Sequence, residues 1–83
     1  MLVEVYLKAA CQLCDDALDV ISSARATWQF ELIERNIADD ANWYSMYRYR
    51  IPAIVINGEL CFEHRVDRRA FVDALRRKRG VVE

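Results

Sequence analysis

The feature that most restricts the fold of this chain is a change in hydrophobic period on either side of residues 11–14, which read Cys-Gln-Leu-Cys. The clustered, alternating apolar side chains of residues 2–7 are typical of a buried, central strand. In residues 12–26 the apolar side chains recur instead at the spacing of an amphipathic helix. The expected apolar stripe consists of Leu13, Ala17, Val20, Ile21 and Ala24. The two cysteines therefore lie where the first strand ends and the first helix begins.

The middle of the chain predicts a second strand and a short helix. Residues 28–35 alternate, and one face of this strand consists of Trp28, Phe30 and Leu32. Asp39 or Asp40 is a suitable N-terminal cap for a helix that runs to about Arg48. Its inward-facing side chains are expected to be Trp43, Met46 and Tyr47. A strand, a helix and a strand in succession form a unit in which the two strands are parallel neighbours.

The second half of the chain predicts a β-hairpin. Residues 51–56 form a β-branched run with Pro52 near its start. The Asn57-Gly58 pair that follows is the strongest short signal for a hairpin turn. Residues 59–63 are the expected returning strand. The side chains of this strand that are expected to face the core are Leu60 and Phe62.

A last helix follows the hairpin, and Asp67 is its expected N-terminal cap. The buried face of this helix is expected to consist of Ala70, Phe71, Ala74 and Leu75. The helix ends in a basic run, residues 76–79, and Gly80 is typical of a residue that closes a helix. The predicted order is therefore β-α-β-α-β-β-α in an α/β chain, with residues 1–83 forming one domain.

Cys11 and Cys14 are the candidate reactive centre. One helical turn brings residues three apart to the same side, so the two thiols can form a disulfide. Backbone N–H groups at the start of a helix stabilise a thiolate, which is the form of cysteine that attacks disulfides. Lys8 adds positive charge nearby, whereas Asp15 and Asp16 oppose ionisation. We expect Cys11 to be the nucleophile and Cys14 to be the resolving thiol.

Composition restricts the expected partners and compartment. The formal net charge is −1, so there is no bulk attraction to nucleic acid or to membranes. The three cysteines of the chain cannot all pair with one another. The longest apolar run is far too short to cross a bilayer, and the N-terminal residues show no signal peptide. We therefore expect a cytoplasmic monomer. In that compartment thiols are kept reduced, and a C-x-x-C pair is redox-active or metal-binding rather than part of a disulfide scaffold.

Several segments of the chain resemble a known family. Residues 8–14, in which a lysine precedes the C-x-x-C pair, resemble the active-site segment of glutaredoxins. Ile51-Pro52 followed by a β-branched strand and Asn57-Gly58 resembles the cis-proline segment of thioredoxin-fold proteins. More closely, residues 14–17 and 49–53 together with Asn57-Gly58 are similar to a family of small glutaredoxin-like proteins.

The resemblance implies a thioredoxin fold with a four-stranded mixed sheet flanked by helices. It also implies that Pro52 is in the cis form and faces the cysteines, and that the Ile51 backbone binds an extended thiol substrate as a short strand. The implied substrate-contacting residues are Lys8, Gln12, Leu13, Ile51, Pro52 and Asp67. The chain departs from the glutaredoxin pattern between the cysteines, at Arg50, and in residues 61–67, which lack the Gly-Gly pair that binds glutathione.

The activity that the resemblance implies is thiol–disulfide exchange through a Cys11–Cys14 disulfide, with a disulfide-bearing protein or glutathione as the substrate. No tightly bound cofactor is expected, and glutathione is one possible reductant. Two alternatives stay open. The first is a module that binds a metal or an iron–sulfur cluster through its cysteines, and the second is a non-catalytic interaction domain.

Cys61 and His64 form a C-x-x-H pair which, with the first two cysteines, supplies four potential zinc ligands. A two-residue hairpin turn pairs Ile54 with Cys61. In the same register Pro52 lies opposite Glu63. This places Cys61 about 7 Å beyond the proline along the strand, which argues against a shared zinc site, so we assign no metal ligands. It also places His64 near the proline end of the hairpin, where an imidazole close to the cysteines would suit proton transfer. A lone histidine at a strand end is more often an exposed surface residue.

Aromatic and basic residues cluster just before the proline. Tyr44 and Tyr49 are expected at the surface, where they are candidates for a partner surface beside the cysteines. Arg48 and Arg50 are candidates for holding a substrate carboxylate, although exposed arginines are more often simply solvated.

Overall fold

The computed structural model of the chain describes residues 1–79. The strands in this part of the chain are β1 (Leu2–Leu7), β2 (Glu31–Asn36), β3 (Ala53–Ile56) and β4 (Glu59–Glu63). The helices are α1 (Gln12–Ala24), α2 (Ala41–Tyr47) and α3 (Arg68–Lys78), and a 3-10 turn, Ile37–Asp39, precedes α2. This order confirms the predicted β-α-β-α-β-β-α succession. Within these residues, no helix has the length and apolar character needed to cross a membrane.

The four strands form one mixed sheet in the order β2-β1-β3-β4. β1 is parallel to β2 and antiparallel to β3, and β3 is antiparallel to β4. The first strand is therefore internal, as its clustered apolar side chains predict. The parallel β1–β2 pair is confirmed as well, because helix α1 supplies the crossover that parallel neighbours need.

The two faces of the sheet carry different apolar clusters. The α1/α3 cluster consists of Val3, Val5, Ala17, Ile21, Ala24, Phe30, Ile54, Ile56, Phe71, Ala74 and Leu75. The α2 cluster consists of Tyr6, Cys14, Ile37, Tyr47, Ile51, Ala53 and Val55, with Leu7, Cys11, Trp43 and Leu60 packed at its border. Since helices cover both faces, reactive side chains reach the surface at the ends of the strands, where ligands bind in open α/β sheets.

Helix α3 begins as predicted. The Asp67 carboxylate caps it, because Oδ1 accepts a hydrogen bond from the Ala70 N–H at 2.8 Å. The residues of α3 that are buried, Phe71, Ala74 and Leu75, belong to the predicted face. Gly80, which was expected to close the helix, lies outside the described residues.

The predicted boundaries between α1 and β2 are wrong. Helix α1 ends at Ala24 rather than at residue 26, and β2 begins at Glu31 rather than at residue 28. The Trp28 N–H donates to the Ala24 carbonyl at 2.9 Å, so the chain stays curled against the end of the helix before it enters the sheet. Phe30 is buried all the same. Because a buried residue just before the strand continues the alternation of apolar side chains, the sequence predicted a longer strand.

Helix α2 buries fewer side chains than predicted. It is capped by Asp40, whose Oδ1 accepts the Asn42 N–H at 2.8 Å. Tyr47 is buried and Trp43 is half-buried, as predicted, but Met46 is 58% exposed. Trp43 and Tyr47 are four residues apart and share one side of this short helix, and Met46 lies beside that side.

The predicted hairpin turn is present at Asn57 and Gly58. Their φ angles of 50° and 86° are both in the left-handed region, which a type I′ turn requires and which asparagine and glycine tolerate best. The turn is also tied to β1, because Asn57 Oδ1 accepts the Leu2 N–H at 2.9 Å and the Asn57 N–H donates to the Leu2 carbonyl at 2.8 Å.

The predicted hairpin register is wrong beyond the turn. Val55 pairs with Leu60, whereas Ile54 pairs with Phe62, so Cys61 is an extra residue in a β-bulge. The extra residue separates two side chains that were expected to share one face. Leu60 packs against the α2 cluster, and Phe62 packs against the α1/α3 cluster.

Candidate active site

The cysteine pair lies in the connection between β1 and α1. Cys11 immediately precedes the helix and has an extended backbone, with φ −125°. The Cys14 N–H donates a hydrogen bond to Sγ of Cys11 (N–S distance 3.2 Å), so a backbone donor at the start of the helix faces the sulfur atom. The two residues form a disulfide with a Cα–Cα distance of 5.2 Å, which is in the usual range for such bonds.

The two cysteines differ in accessibility. Cys14 is 2% exposed and belongs to the α2 cluster. Cys11 is half-buried at the border of that cluster. An incoming sulfur atom therefore has access to Cys11 and not to Cys14.

Ala10, directly before Cys11, has an unusual backbone conformation that sequence reasoning missed. Its φ of 53° is in the left-handed region, which costs a residue with a Cβ atom about 1–2 kcal/mol. Such a conformation persists where the surrounding structure imposes it, and it is common at functional sites. No sequence signal identifies it, because left-handed positions usually carry glycine or asparagine rather than alanine.

Ile51 and Pro52 lie in the segment that joins α2 to β3. Ile51 is buried in the α2 cluster together with Cys14, and the Ile51–Pro52 peptide bond is cis. Ile51 precedes β3, and among the described residues its backbone makes no hydrogen bond with another backbone group. The Pro52 carbonyl accepts the His64 N–H at 2.9 Å. His64 therefore lies beside the proline, as predicted.

The other predicted substrate-contacting residues lie in two places. Lys8 and Gln12 are exposed on either side of Cys11, and Leu13 is half-buried between the cysteines. The Gln12 side chain is held by Asp16, with Nε2 donating to Oδ1 at 2.9 Å. Asp67 is at the start of α3, where its described hydrogen bond is the helix cap. Its contact with substrate stays a prediction.

An aromatic group lies next to Cys14 in the α2 cluster. The Tyr6 ring stacks on Tyr47 with 4.2 Å between centroids, and it meets Trp43 edge-on at 5.8 Å. Burial is the main reason that the pKa of the Tyr6 phenol is raised above its ordinary value, so this ring stays neutral at physiological pH. Cys14 therefore shares an apolar cluster with aromatic side chains from both β1 and α2.

Cys61 lies apart from the cysteine pair. It packs against the α1/α3 cluster, whereas Cys14 belongs to the α2 cluster on the other face of the sheet. Glu63 pairs with Ala53 rather than lying opposite Pro52, which corrects the predicted register. Among residues 1–79, no three His, Cys, Asp or Glu side chains are grouped closely enough to hold a metal ion.

The thiol of Cys61 is expected to react slowly with iodoacetamide in the folded, oxidised protein. Burial raises the pKa of this thiol more than the Ile56 backbone and the charge of Arg77 lower it. Since the thiolate is the reacting form, the midpoint of the rate against pH should lie higher in the folded protein than in urea. Alkylation followed by mass measures both profiles, and an equal or lower midpoint in the folded protein would contradict this expectation.

The basic run at the end of α3 makes contacts of its own. The guanidinium groups of Arg76 and Arg79 lie over the Trp28 ring, 5.7 and 5.2 Å from its centroid. Lys78 pairs with Glu59. Neither Trp28 nor Glu59 belongs to the α2 cluster, so these contacts do not bring the basic run to the cysteines.

The fold and the site together define a thioredoxin-fold protein with a C-x-x-C pair at the start of its first helix. Solved structures agree with this class. A crystal structure of a thioredoxin-like protein is 21% identical, covers 90% of this chain and 96% of that chain, and has a TM-score of 0.56. A protein from Nitrosomonas europaea, solved in solution, is 20% identical over 87% of each chain with a TM-score of 0.74.

Sequence comparison gives the family within this class. Residues 2–76 match the family described as "Glutaredoxin-like domain (DUF836)". A structural-genomics target protein from X. campestris is 30% identical, covers 87% of this chain and 96% of that chain, and has a TM-score of 0.69. This chain belongs to the glutaredoxin-like domain family, which confirms the resemblance found in the sequence.

Proposed function

We propose that this protein is a thiol–disulfide oxidoreductase that works through Cys11 and Cys14. The observation that carries the proposal is the pairing of an accessible sulfur with a buried one at the start of α1. Sγ of Cys11 accepts a backbone hydrogen bond and is bonded to Cys14, which is 2% exposed. Reactive cysteines lie in partly exposed sites that stabilise the thiolate, whereas buried structural cysteines are inert.

The proposed reaction begins with the reduced pair. The Cys11 thiolate attacks one sulfur of a substrate disulfide, and the other substrate sulfur leaves as a thiolate that takes up a proton. The Cys14 thiol then loses its proton and attacks Sγ of Cys11 in the mixed disulfide. The second substrate sulfur leaves, so two electrons pass to the substrate and the protein is left with the Cys11–Cys14 disulfide.

The surroundings of the pair support roles in binding. The unpaired backbone of Ile51 next to the buried Pro52 offers an extended substrate the hydrogen bonds of a short strand. Lys8 and Gln12 flank Cys11 at the surface, where they are placed to contact the same substrate. In this proposal the protein acts as a cytoplasmic monomer without a tightly bound cofactor. Glutathione or a dithiol protein returns the pair to its reduced form.

The Cys14→Ser variant is expected to trap the first intermediate. Without the resolving thiol, Cys11 should keep one substrate thiol after the reduced protein is mixed with a small symmetric disulfide such as hydroxyethyl disulfide. The intact mass should rise by one substrate thiol, and peptide mapping should place it on Cys11. Cys61→Ser is included in every variant to remove the third thiol.

The matched control is Cys11→Ser in the same background, which should gain no substrate thiol because Cys14 is buried. Labelling of Cys14 in this control at the rate seen for Cys11, or no adduct in either variant, would contradict the proposed function.

A further inference from the structure

The exposed large apolar side chains of this protein are concentrated in one segment. Apart from Met1, those of residues 1–79 are Tyr44 (49% exposed), Met46 (58%) and Tyr49 (78%). All three lie within the six residues 44–49, which end two residues before Ile51. Single exposed apolar residues are ordinary, but a group of them on one short segment is typical of a contact surface.

An arginine joins two of these side chains into one unit. The guanidinium carbon of Arg48 lies 5.5 Å from the centroid of the Tyr44 ring and 4.8 Å from that of Tyr49. Both distances are within the range of cation–π attraction. We call these three side chains the Tyr44–Arg48–Tyr49 stack. Since the arginine already holds both rings, a partner that binds there loses less side-chain entropy than it would on separate side chains.

The stack is connected to Pro52 through His64. The Tyr49 carbonyl oxygen lies 2.9 Å from Nε2 of His64, and the His64 N–H donates to the Pro52 carbonyl at 2.9 Å. On the inner side of the same segment, Tyr47 belongs to the α2 cluster with Cys14. Tyr49 of the stack therefore lies two residues before Ile51 and is linked to Pro52 through His64.

The charge of this segment indicates what fits it. Between Tyr44 and Pro52 the charged side chains are Arg48 and Arg50. Asp39 and Asp40 line a pocket with Tyr44 at the other end of α2, so the positive charge is at the Arg48 end of the helix. Arg50 has one carboxylate partner, Glu63, at 3.6 Å, and both side chains are about half exposed. Such exposed pairs are weak, so Arg50 remains available to an incoming anion. A planar guanidinium binds a carboxylate with two parallel hydrogen bonds.

We propose that the Tyr44–Arg48–Tyr49 stack selects partner proteins in which an acidic residue and an aromatic residue flank the reactive cysteine. The partner's carboxylate binds Arg48 or Arg50, and its aromatic side chain packs on the exposed face of Tyr49. This inference rests on the proposed function, because it names the substrate class of the same cysteine pair. The reaction is the exchange already described, with the partner's disulfide as the oxidant.

The test compares two short peptides, each carrying one cysteine as a mixed disulfide with the same small thiol. One peptide has glutamate and phenylalanine beside the cysteine, and the other has lysine and serine. The rate at which the Cys14→Ser protein takes up each peptide is measured by mass, and the readout is the ratio of the two rates. We expect a ratio of about ten or more in favour of the acidic, aromatic peptide at low salt, with a smaller ratio at high salt because exposed charges are screened.

The variant that tests the surface combines Arg48→Gln, Tyr49→Ala and Arg50→Gln, which should bring the ratio close to one. Its matched control is Arg69→Gln, another exposed arginine of the same protein, which should leave the ratio unchanged. Equal rates for the two peptides, or a ratio that survives the triple substitution, would overturn the inference. Sedimentation that shows a dimer which Tyr49→Ala abolishes would also overturn it, since the surface would then belong to a second copy.

One further measurement separates this inference from the proposed function. The Cys14→Ser protein, with its Tyr44–Arg48–Tyr49 stack unsubstituted, is mixed with hydroxyethyl disulfide. If Cys11 takes up that small disulfide but the peptides are not distinguished, the inference alone fails. If Cys11 takes up neither the small disulfide nor the peptides, the proposed function fails.

Discussion

Cys11→Ser is expected to lower the rate of disulfide reduction by at least about a hundredfold, to the rate of the chemical reductant alone. A serine hydroxyl does not ionise near neutral pH and forms no disulfide, so neither step of the exchange can take place. Cys14 cannot take over, because it is 2% exposed. The measurement is the rate of reduction of a small disulfide with a dithiol present in excess.

The control for this loss is Cys61→Ser, which is expected to react at the unsubstituted rate. Cys61 packs against the α1/α3 cluster and lies apart from the α2 cluster that holds the cysteine pair. Equal losses in the two variants would show that the loss comes from a disturbed fold. A Cys11→Ser protein that keeps most of its activity would contradict the assignment of the nucleophile.

Phe71→Ala is expected to lower the free energy of unfolding by about 3–5 kcal/mol. The Phe71 side chain is fully buried in the α1/α3 cluster. It meets Phe30 edge-on, with 5.8 Å between the ring centroids, and Phe62 at 6.4 Å. Truncation therefore removes a large apolar contact and leaves a cavity between α3 and the sheet. Because small domains are stable by only about 5–15 kcal/mol, the change removes a large part of the total.

Urea denaturation with the Cys11–Cys14 disulfide intact measures this effect as a shift of the midpoint at unchanged slope. Phe71→Leu should cost less than about 1.5 kcal/mol, since it keeps most of the volume. Tyr44→Ala, at a position that is 49% exposed, should stay within about 0.5 kcal/mol. If Phe71→Ala lost less than about 1.5 kcal/mol, which is the loss expected for Phe71→Leu, the cluster would not depend on this ring.

Features that depend on neighbours in the chain were predictable from the sequence. Asp67 caps α3 because its carboxylate meets an N–H three residues later, whatever the rest of the fold does. Asn57 and Gly58 form the turn because they tolerate left-handed φ angles. The cysteine pair was predictable for the same reason, since one helical turn separates Cys11 from Cys14.

The surroundings of the cysteine pair were less predictable. The nearness of Ile51 to Cys14 depends on contacts between residues far apart in the chain, and the sequence indicated it only through resemblance to a family. Ala10 has no residue preference that reveals its backbone conformation. The stacked rings in the cluster of Cys14 also required the structure, because Tyr6 and Tyr47 come from different elements.

The sequence by itself determined the order of strands and helices, the hairpin turn, the cap of α3 and the location of the cysteine pair. Hydrogen bonds and side-chain periods within a few residues settle these features. The tertiary structure alone decided the register of β4, because the bulge at Cys61 lets Leu60 fill the α2 cluster while Phe62 packs on Phe71. It also decided that Met46 is exposed. Which side chains a short element buries depends on the space that the rest of the fold leaves beside it.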